Sequence, residues 1–198
     1  RNRPDLEIRI LKWSYGVLQF FGRGSMMIDL LRWWRHRRID FKFDTNHPVG
    51  CSHHQKIVVI DDDFAVCGGI DLTSERWDTR EHKEHDPRRK HPGNATYSPW
   101  HDVTMMMEGD VAGALDQLGR ARWELAGGTP LDAPEADPGS AWPDGLEPHF
   151  EDVEVGIART RAAHDGMPKI DEVENLFLRQ IASAQRFIYA ENQYLTSR

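Results

Sequence analysis

The sequence predicts an α/β protein, and three observations predict it. Short β-prone runs bounded by turn residues recur at 6–11, 41–43, 55–60, 64–69 and 103–107. Helical periodicity appears at 25–38, 111–126 and 173–184, and a proline-rich acidic stretch at 127–149 separates two regions patterned in this way. The reading is one nearly complete α/β lobe over 1–126, a linker over 127–149, and the opening of a second lobe over 150–198. Arg1 leads almost at once into an apolar run, so the chain is expected to start part-way through the first lobe and to stop part-way through the second.

Each element has a local reason. LEIRIL (6–11) alternates apolar and polar residues, as a half-buried strand does. Ser25 is a good N-cap for SMMIDLLRWWRHRR, which places Met26, Met27, Leu30, Leu31 and Trp34 on one helical face. Arg35, Arg37 and Arg38 fall in its last turn, where cations complement the helix dipole. The apolar stripe has the width of a core-packed helix, which is the expectation; a helix lying on a membrane surface is the alternative. FKF (41–43) is a short strand, and QKIVVI (55–60), Asp61-Asp62-Asp63 and FAVCGG (64–69) form a β-hairpin.

Residues 72–99 are charged and turn-rich, with His82, His85, His91 and His101 in the wider 82–101 window. They read as an active-site loop or a mobile insertion. VTMMM (103–107) is the next strand and VAGALDQLGRARWELA (111–126) the next helix. The 127–149 stretch carries 5 of the 11 prolines, a linker composition. Beyond it VEVGIA (153–158), VENLFLRQIASA (173–184) and RFIYAE (186–191) predict strand, helix and strand, a parallel crossover that delivers Asn192 and Gln193 to a strand's C-terminal end.

Composition excludes several classes. With 39% hydrophobic and 29% charged residues the chain is globular rather than disordered, and no apolar run is long enough to cross a bilayer. Two cysteines, Cys51 and Cys67, make neither a disulfide framework nor a structural zinc site. The net charge of −7 conceals an asymmetry: residues 1–60 hold 11 Lys and Arg against 5 Asp and Glu, while the remainder holds 14 against 27. A basic region beside the histidines suits a phosphate-bearing ligand or an anionic surface.

The chemistry concentrates in SHHQKIVVIDDDFAVCGGID (52–71). On a strand, residues two apart share a face, so His54 and Lys56 point together while Gln55, Ile57 and Val59 point away. A neutral imidazole can attack phosphorus while an ammonium neutralises the non-bridging oxygens. Gly68 and Gly69 allow a phosphate close to the backbone, and Asp71 follows at the same end of the hairpin. Asp61 has the opposite parity and is expected to close the hairpin rather than touch substrate. An attacking histidine also needs a carboxylate on its far nitrogen, and Asp102 in PWHDV is the candidate.

HQKIVVID with GGID resembles the first HKD motif of the phospholipase D superfamily, and RWDT (76–79), PWHDV (99–103) and IYAENQYL (188–195) resemble segments of its eukaryotic-like and bacterial phospholipase D branch. The similarity spans about 5–126 and 153–197. It implies an α-β-α sandwich lobe with a mixed sheet, followed by the start of a second pseudo-repeat lobe. It also implies that His54 is nucleophile or acid, Lys56 binds phosphate, Asp61 supports them and Asp102 backs the histidine, while Glu191, Asn192 and Gln193 border the site. The implied reaction is hydrolysis of a phosphatidylcholine-like lipid at a membrane surface to phosphatidate, through a phosphohistidine. A cardiolipin synthase-like phosphatidyltransferase, or a non-enzymatic metal- or lipid-binding module, is the alternative.

Two motifs, one per lobe, build the family site, and no second His-x-Lys-x4-Asp occurs in these 198 residues. The second is expected beyond Arg198, or less readily from a homodimer mate, and the 198-residue piece alone is expected to turn over little substrate. The restarting lobe argues against the short dimeric nucleases of the superfamily, so no nucleic-acid partner is expected. His82, His85 and His91 match no metal-ligand pattern, and neither metal nor cofactor is expected. Compartment is not readable from these residues.

Overall fold

A computed structural model of the chain describes residues 3–14, 32–73, 75–91, 93–134 and 139–192. The chain divides into two compact units, Arg1–Asn46 with Ser52–Glu151, and His47–Cys51 with Asp152–Arg198.

In the first unit, β1 (Ile8–Trp13) and β2 (Ile39–Asp44) pair in parallel, in register from Ile8 opposite Ile39 to Trp13 opposite Asp44. Parallel neighbours require a crossover connection. The helix expected at 25–38 falls largely outside the described residues; residues 32–34 are helical, and Trp34 there is 78% exposed.

The strands β3 (Lys56–Ile60), β4 (Phe64–Gly68) and β5 (Thr104–Glu108) form an antiparallel sheet in that order. The turn between β3 and β4 needs left-handed backbone, which Asp tolerates better than most residues: Asp61 and Asp62 have φ of 52° and 62°, and the Asp63 N–H donates to the Ile60 carbonyl at 3.1 Å. Three successive aspartates repel, and Arg120 offsets part of that by donating to both Asp62 carboxylate oxygens at 3.1 Å. Parallel pairing in one ladder and antiparallel pairing in the other make this a mixed α/β structure, as the sequence predicts.

Helix α1 (Asp110–Leu125) covers one face of the antiparallel sheet. Fully buried Ala65 and Ala112 let helix and strand approach closely, and Leu115 fills the centre. Ile57, Val59, Cys67, Met107 and Leu118 pack around them. Burial pushes the Cys67 thiol upward, and both cysteines are free. On β3 the odd-numbered residues thus face the helix, and Lys56, Val58 and Ile60 face away from it.

The described residues of the 72–99 segment are anchored around a buried ion pair, which favours the loop reading over a mobile insertion. Arg89 is fully buried; its Nη1 lies 3.2 Å from Asp78 Oδ1, and its Nη2 donates to the carbonyls of Lys83 and Glu84. Asp78 also accepts from the Thr79 N–H at 2.8 Å and the Trp100 N–H at 3.1 Å, and lies 2.8 Å from His82 Nδ1. Desolvation opposes its ionisation, but those N–H donors, with Arg89 and His82, hold its carboxyl below the usual range. Arg88 holds Asp86 down to about 2 by a charge-assisted hydrogen bond. Residues 140–142 strap the sheet's far end, where Glu108 Oε1 accepts from the Ser140 hydroxyl and the Ala141 and Trp142 N–H groups, and Trp142 meets Phe64 edge-on.

The second unit holds β6 (Thr160–Arg161) and β7 (Ile170–Asp171), an antiparallel pair, and helix α2 (Glu172–Ser183). Glu172 binds the Arg159 guanidinium through both oxygens, at 2.8 and 3.0 Å. The strands expected at 153–158 and 186–191 are not formed: both segments are irregular, with Val153, Val155, Phe187 and Ile188 exposed. A strand exists only where a neighbour accepts its backbone hydrogen bonds, and among the described residues neither segment has one.

Two outcomes are expected. Leu115→Ala leaves a cavity between α1 and the sheet and lowers unfolding free energy by about 2–5 kcal/mol, read by chemical denaturation. Because the pKa values of Asp78 and Asp86 are depressed on folding, their stabilisation is present above the ordinary carboxylate pKa near 4 and is lost as pH falls through the lower folded values. Protection factors across the described residues of 76–101, taken relative to intrinsic exchange at each pH, therefore fall between about pH 4 and pH 2 before those of α1 do; α1 opening first would contradict this.

Candidate functional site

The end of the antiparallel sheet where β3 begins, β4 ends and β5 begins collects most of the residues singled out in the sequence. Lys56 opens β3 directly opposite Gly68, which in turn pairs with Thr104. The Lys56 side chain is only 14% exposed, and Nζ lies 3.2 Å from Asp71 Oδ1 and donates to the His54 carbonyl at 3.0 Å. One ammonium thereby joins the strand carrying the motif to the segment that follows β4. Asp71 reaches it because the chain leaves β4 through two glycines.

Those glycines are required by the space they leave. A Cβ on Gly68 would lie 2.5 Å from Thr104 Oγ1 and the Val103 carbonyl, and one on Gly69 would fall on the Asp102 carboxylate. Asp102 therefore packs against Gly69, with Oδ1 accepting the Val103 N–H at 2.8 Å, and the Gly69 N–H donates to the Val103 carbonyl at 3.1 Å. The PWHD segment is held in turn by the bond from the Trp100 N–H to Asp78 and by the Arg76 guanidinium stacked 3.7 Å from the Trp100 ring centroid. His101 packs edge-on against His82, 5.8 Å between centroids.

His54 lies just before β3 and is exposed, and its imidazole makes no hydrogen bond to the described residues. No bond joins it to Asp102, whose Oδ1 accepts from its own neighbour's N–H. Asp61 lies in the hairpin turn at the opposite end of β3 from Lys56, about 16 Å along an extended chain. Glu191 and Asn192 belong to the second unit, where Glu191 accepts from the Tyr189 hydroxyl at 3.0 Å and raises its pKa; Gln193 lies outside the described residues. No group of three His, Cys, Asp or Glu among the described residues is placed to hold a metal ion.

Sequence reasoning passed over Asp44, His53 and Arg122. His53 Nε2 lies 3.1 Å from Asp44 Oδ1, and Arg122 donates to Asp44 at 2.8 Å and to Gln55 at 2.7 Å. Only His53 carried a signal, that of parity: it shares the helix-facing side with Ile57 and Val59, and a half-buried polar group there needs a partner.

The sheet end thus carries an ammonium held by the His54 carbonyl and the Asp71 carboxylate, next in sequence to an exposed imidazole that makes no hydrogen bond to the described residues. No protein-family model matches the chain. It is 30% identical to phospholipase D1 of Saccharomyces cerevisiae over 188 residues, covering 72% of this chain and 11% of that protein. Phospholipase D alpha 1 of Oryza sativa subsp. japonica is 29% identical over 194 residues, covering 72% and 24%, and phospholipase D delta of Arabidopsis thaliana is 26% identical over 222 residues, covering 72% and 25%. The chain belongs to the phospholipase D superfamily. It spans about a quarter or less of the length of these relatives.

Gly68→Ala should cost about 1–3 kcal/mol by forcing β4 and β5 apart, whereas Gly93→Ala, which meets open space, should be near neutral. Equal melting temperatures for the two variants would contradict the close approach at Gly68.

Proposed function

We propose that the chain supplies one half-site of a phospholipase D-type phosphodiesterase that hydrolyses the head-group ester of a phosphatidylcholine-like glycerophospholipid. The observation that carries this reading is the placement of Lys56 at the mouth of the sheet, its ammonium against the His54 carbonyl and the Asp71 carboxylate, with the His54 imidazole left unengaged. The names of the relatives support a lipid substrate.

A His54 ring nitrogen attacks phosphorus, the bond from phosphorus to the head-group oxygen breaks, and the leaving alkoxide takes a proton from a second histidine. Water, deprotonated by that same histidine, then cleaves the phosphohistidine to give phosphatidate and restore His54. Lys56 neutralises the non-bridging oxygens, whose charge grows as the bond forms. The resemblance assigns Asp102 the support of the histidine and Asp61 the support of the motif through the turn, with Gly68, Gly69 and Asp71 next to the phosphate. The family resemblance also assigns Glu191, Asn192 and Gln193 to the border of the site. In this reading 1–126 is the first HKD lobe, the second lobe opens at about 150, and the second histidine comes from a further HKD motif on the same polypeptide or a second copy. The basic first 60 residues and exposed Trp34 support work at an anionic lipid surface.

In the complete protein, turnover of labelled lipid quenched with base should trap phosphate on wild-type enzyme and none on His54→Asn. Lys56→Met should lower kcat/KM on the order of 10²–10³-fold. A His54→Asn protein that still hydrolyses phosphatidylcholine would falsify the reading.

A further inference from the structure

The residues on either side of His54 are held by one buried carboxylate. Asp44, at the end of β2, is 1% exposed and receives three donors: the Asn46 N–H at 3.0 Å, His53 Nε2 at 3.1 Å and Arg122 Nη2 at 2.8 Å. Arg122 Nη1 donates to Gln55 Oε1 at 2.7 Å, so the second neighbour of His54 reaches the same carboxylate through the guanidinium. His53 Nε2 also lies 3.1 Å from the Asn46 carbonyl. Both of its partners there are acceptors, so Nε2 carries the hydrogen.

We infer that Asp44, His53, Arg122 and Gln55 form a positioning clamp that sets the backbone at His54. Residues 52–55 precede the β3–β4 ladder, so the register of that ladder does not by itself fix which way their side chains turn. The clamp supplies that definition: it draws residues 53 and 55 to the side of α1 and β2 and thereby sends His54 to the side of Lys56, extending the alternation of β3 by one turn of the pleat. The inference rests on the proposed role of His54 in phosphoryl transfer. None of the four clamp residues touches the phosphate; each acts through His54.

The test uses the complete protein and phosphatidylcholine vesicles. His53, only partly buried, is the site least expected to compromise folding. His53→Leu removes the donor to Asp44 and should lower kcat on the order of 30-fold or more with KM within about twofold, since misplacing a reacting group by about 1 Å costs on the order of 10²-fold. His53→Gln restores an N–H donor and should recover most of that kcat. Arg122→Met, where it folds, should show the same split between kcat and KM. Wild-type kcat in a folded His53→Leu protein, or failure of His53→Gln to rescue, overturns the clamp. His54→Asn in parallel separates the two levels: if it is inactive while His53→Leu is fully active, the clamp alone fails, and if it is active the phosphoryl-transfer reading beneath it fails.

Discussion

Because successive side chains of β3 project to opposite faces of the sheet, five residues have to satisfy the apolar surface of α1 on one side and present Lys56 on the other. Ile57 and Val59 do the first by packing with Ala65, Ala112 and Leu115. A shift of one residue in register would bury the ammonium against leucine and alanine and expose the isoleucine and valine, so the core and the site specify each other. Upstream of the strand the same division is carried by polar groups instead. Asp44 gathers Asn46, His53 and Arg122, at the level where the parallel pair, the helix and the motif meet. An ion pair in that position is a poor source of net stability, but its directional bonds distinguish one orientation of the chain from another.

A second buried pair plays a similar part on the other side of the sheet end. Arg89 and Asp78 organise the turn-rich segment, and Asp78 passes that order to the backbone of Trp100, two residues before Asp102. The segment contains little regular structure, yet it closes its own hydrogen bonds around one guanidinium: Asp78, Lys83 and Glu84 all accept from Arg89. The site is thus bounded by loops whose geometry is set by internal ion pairs rather than by packing of apolar side chains.

Much of this was legible in the amino-acid sequence, and the reasons are physical. The hairpin over 55–69 and the helix after residue 110 are local structures, encoded by alternation, by a turn of residues that tolerate left-handed backbone, and by an apolar stripe, and they form within a residue or two of expectation. VEVGIA and RFIYAE carry equally β-prone residues but remain irregular, because a strand's stability resides in a partner that its own residues do not encode. The motif spacing pointed to His54, Lys56 and the glycines. It said nothing of Asp44 and Arg122, which lie 10 residues before and 68 after His54 and are joined to its neighbours only by folding. The segment at 72–101 read as a loop for want of periodicity; that Arg89 would be its centre is invisible among so many exposed arginines.

In the proposed phosphodiesterase reading, the ion pair between Lys56 and Asp71 has a bearing on selectivity. With a carboxylate already 3.2 Å from its ammonium, the mouth of the sheet does not offer an incoming anion a bare positive charge. Any ligand has to displace a tethered competitor of the same sign, so what it gains is the difference between two contacts rather than the whole of one. Chloride or acetate, offering a single charge and little else, exchanges like for like. In that reading a diester with further atoms to place against the neighbouring imidazole tips the exchange, and discrimination comes through the occupant that has to be given up.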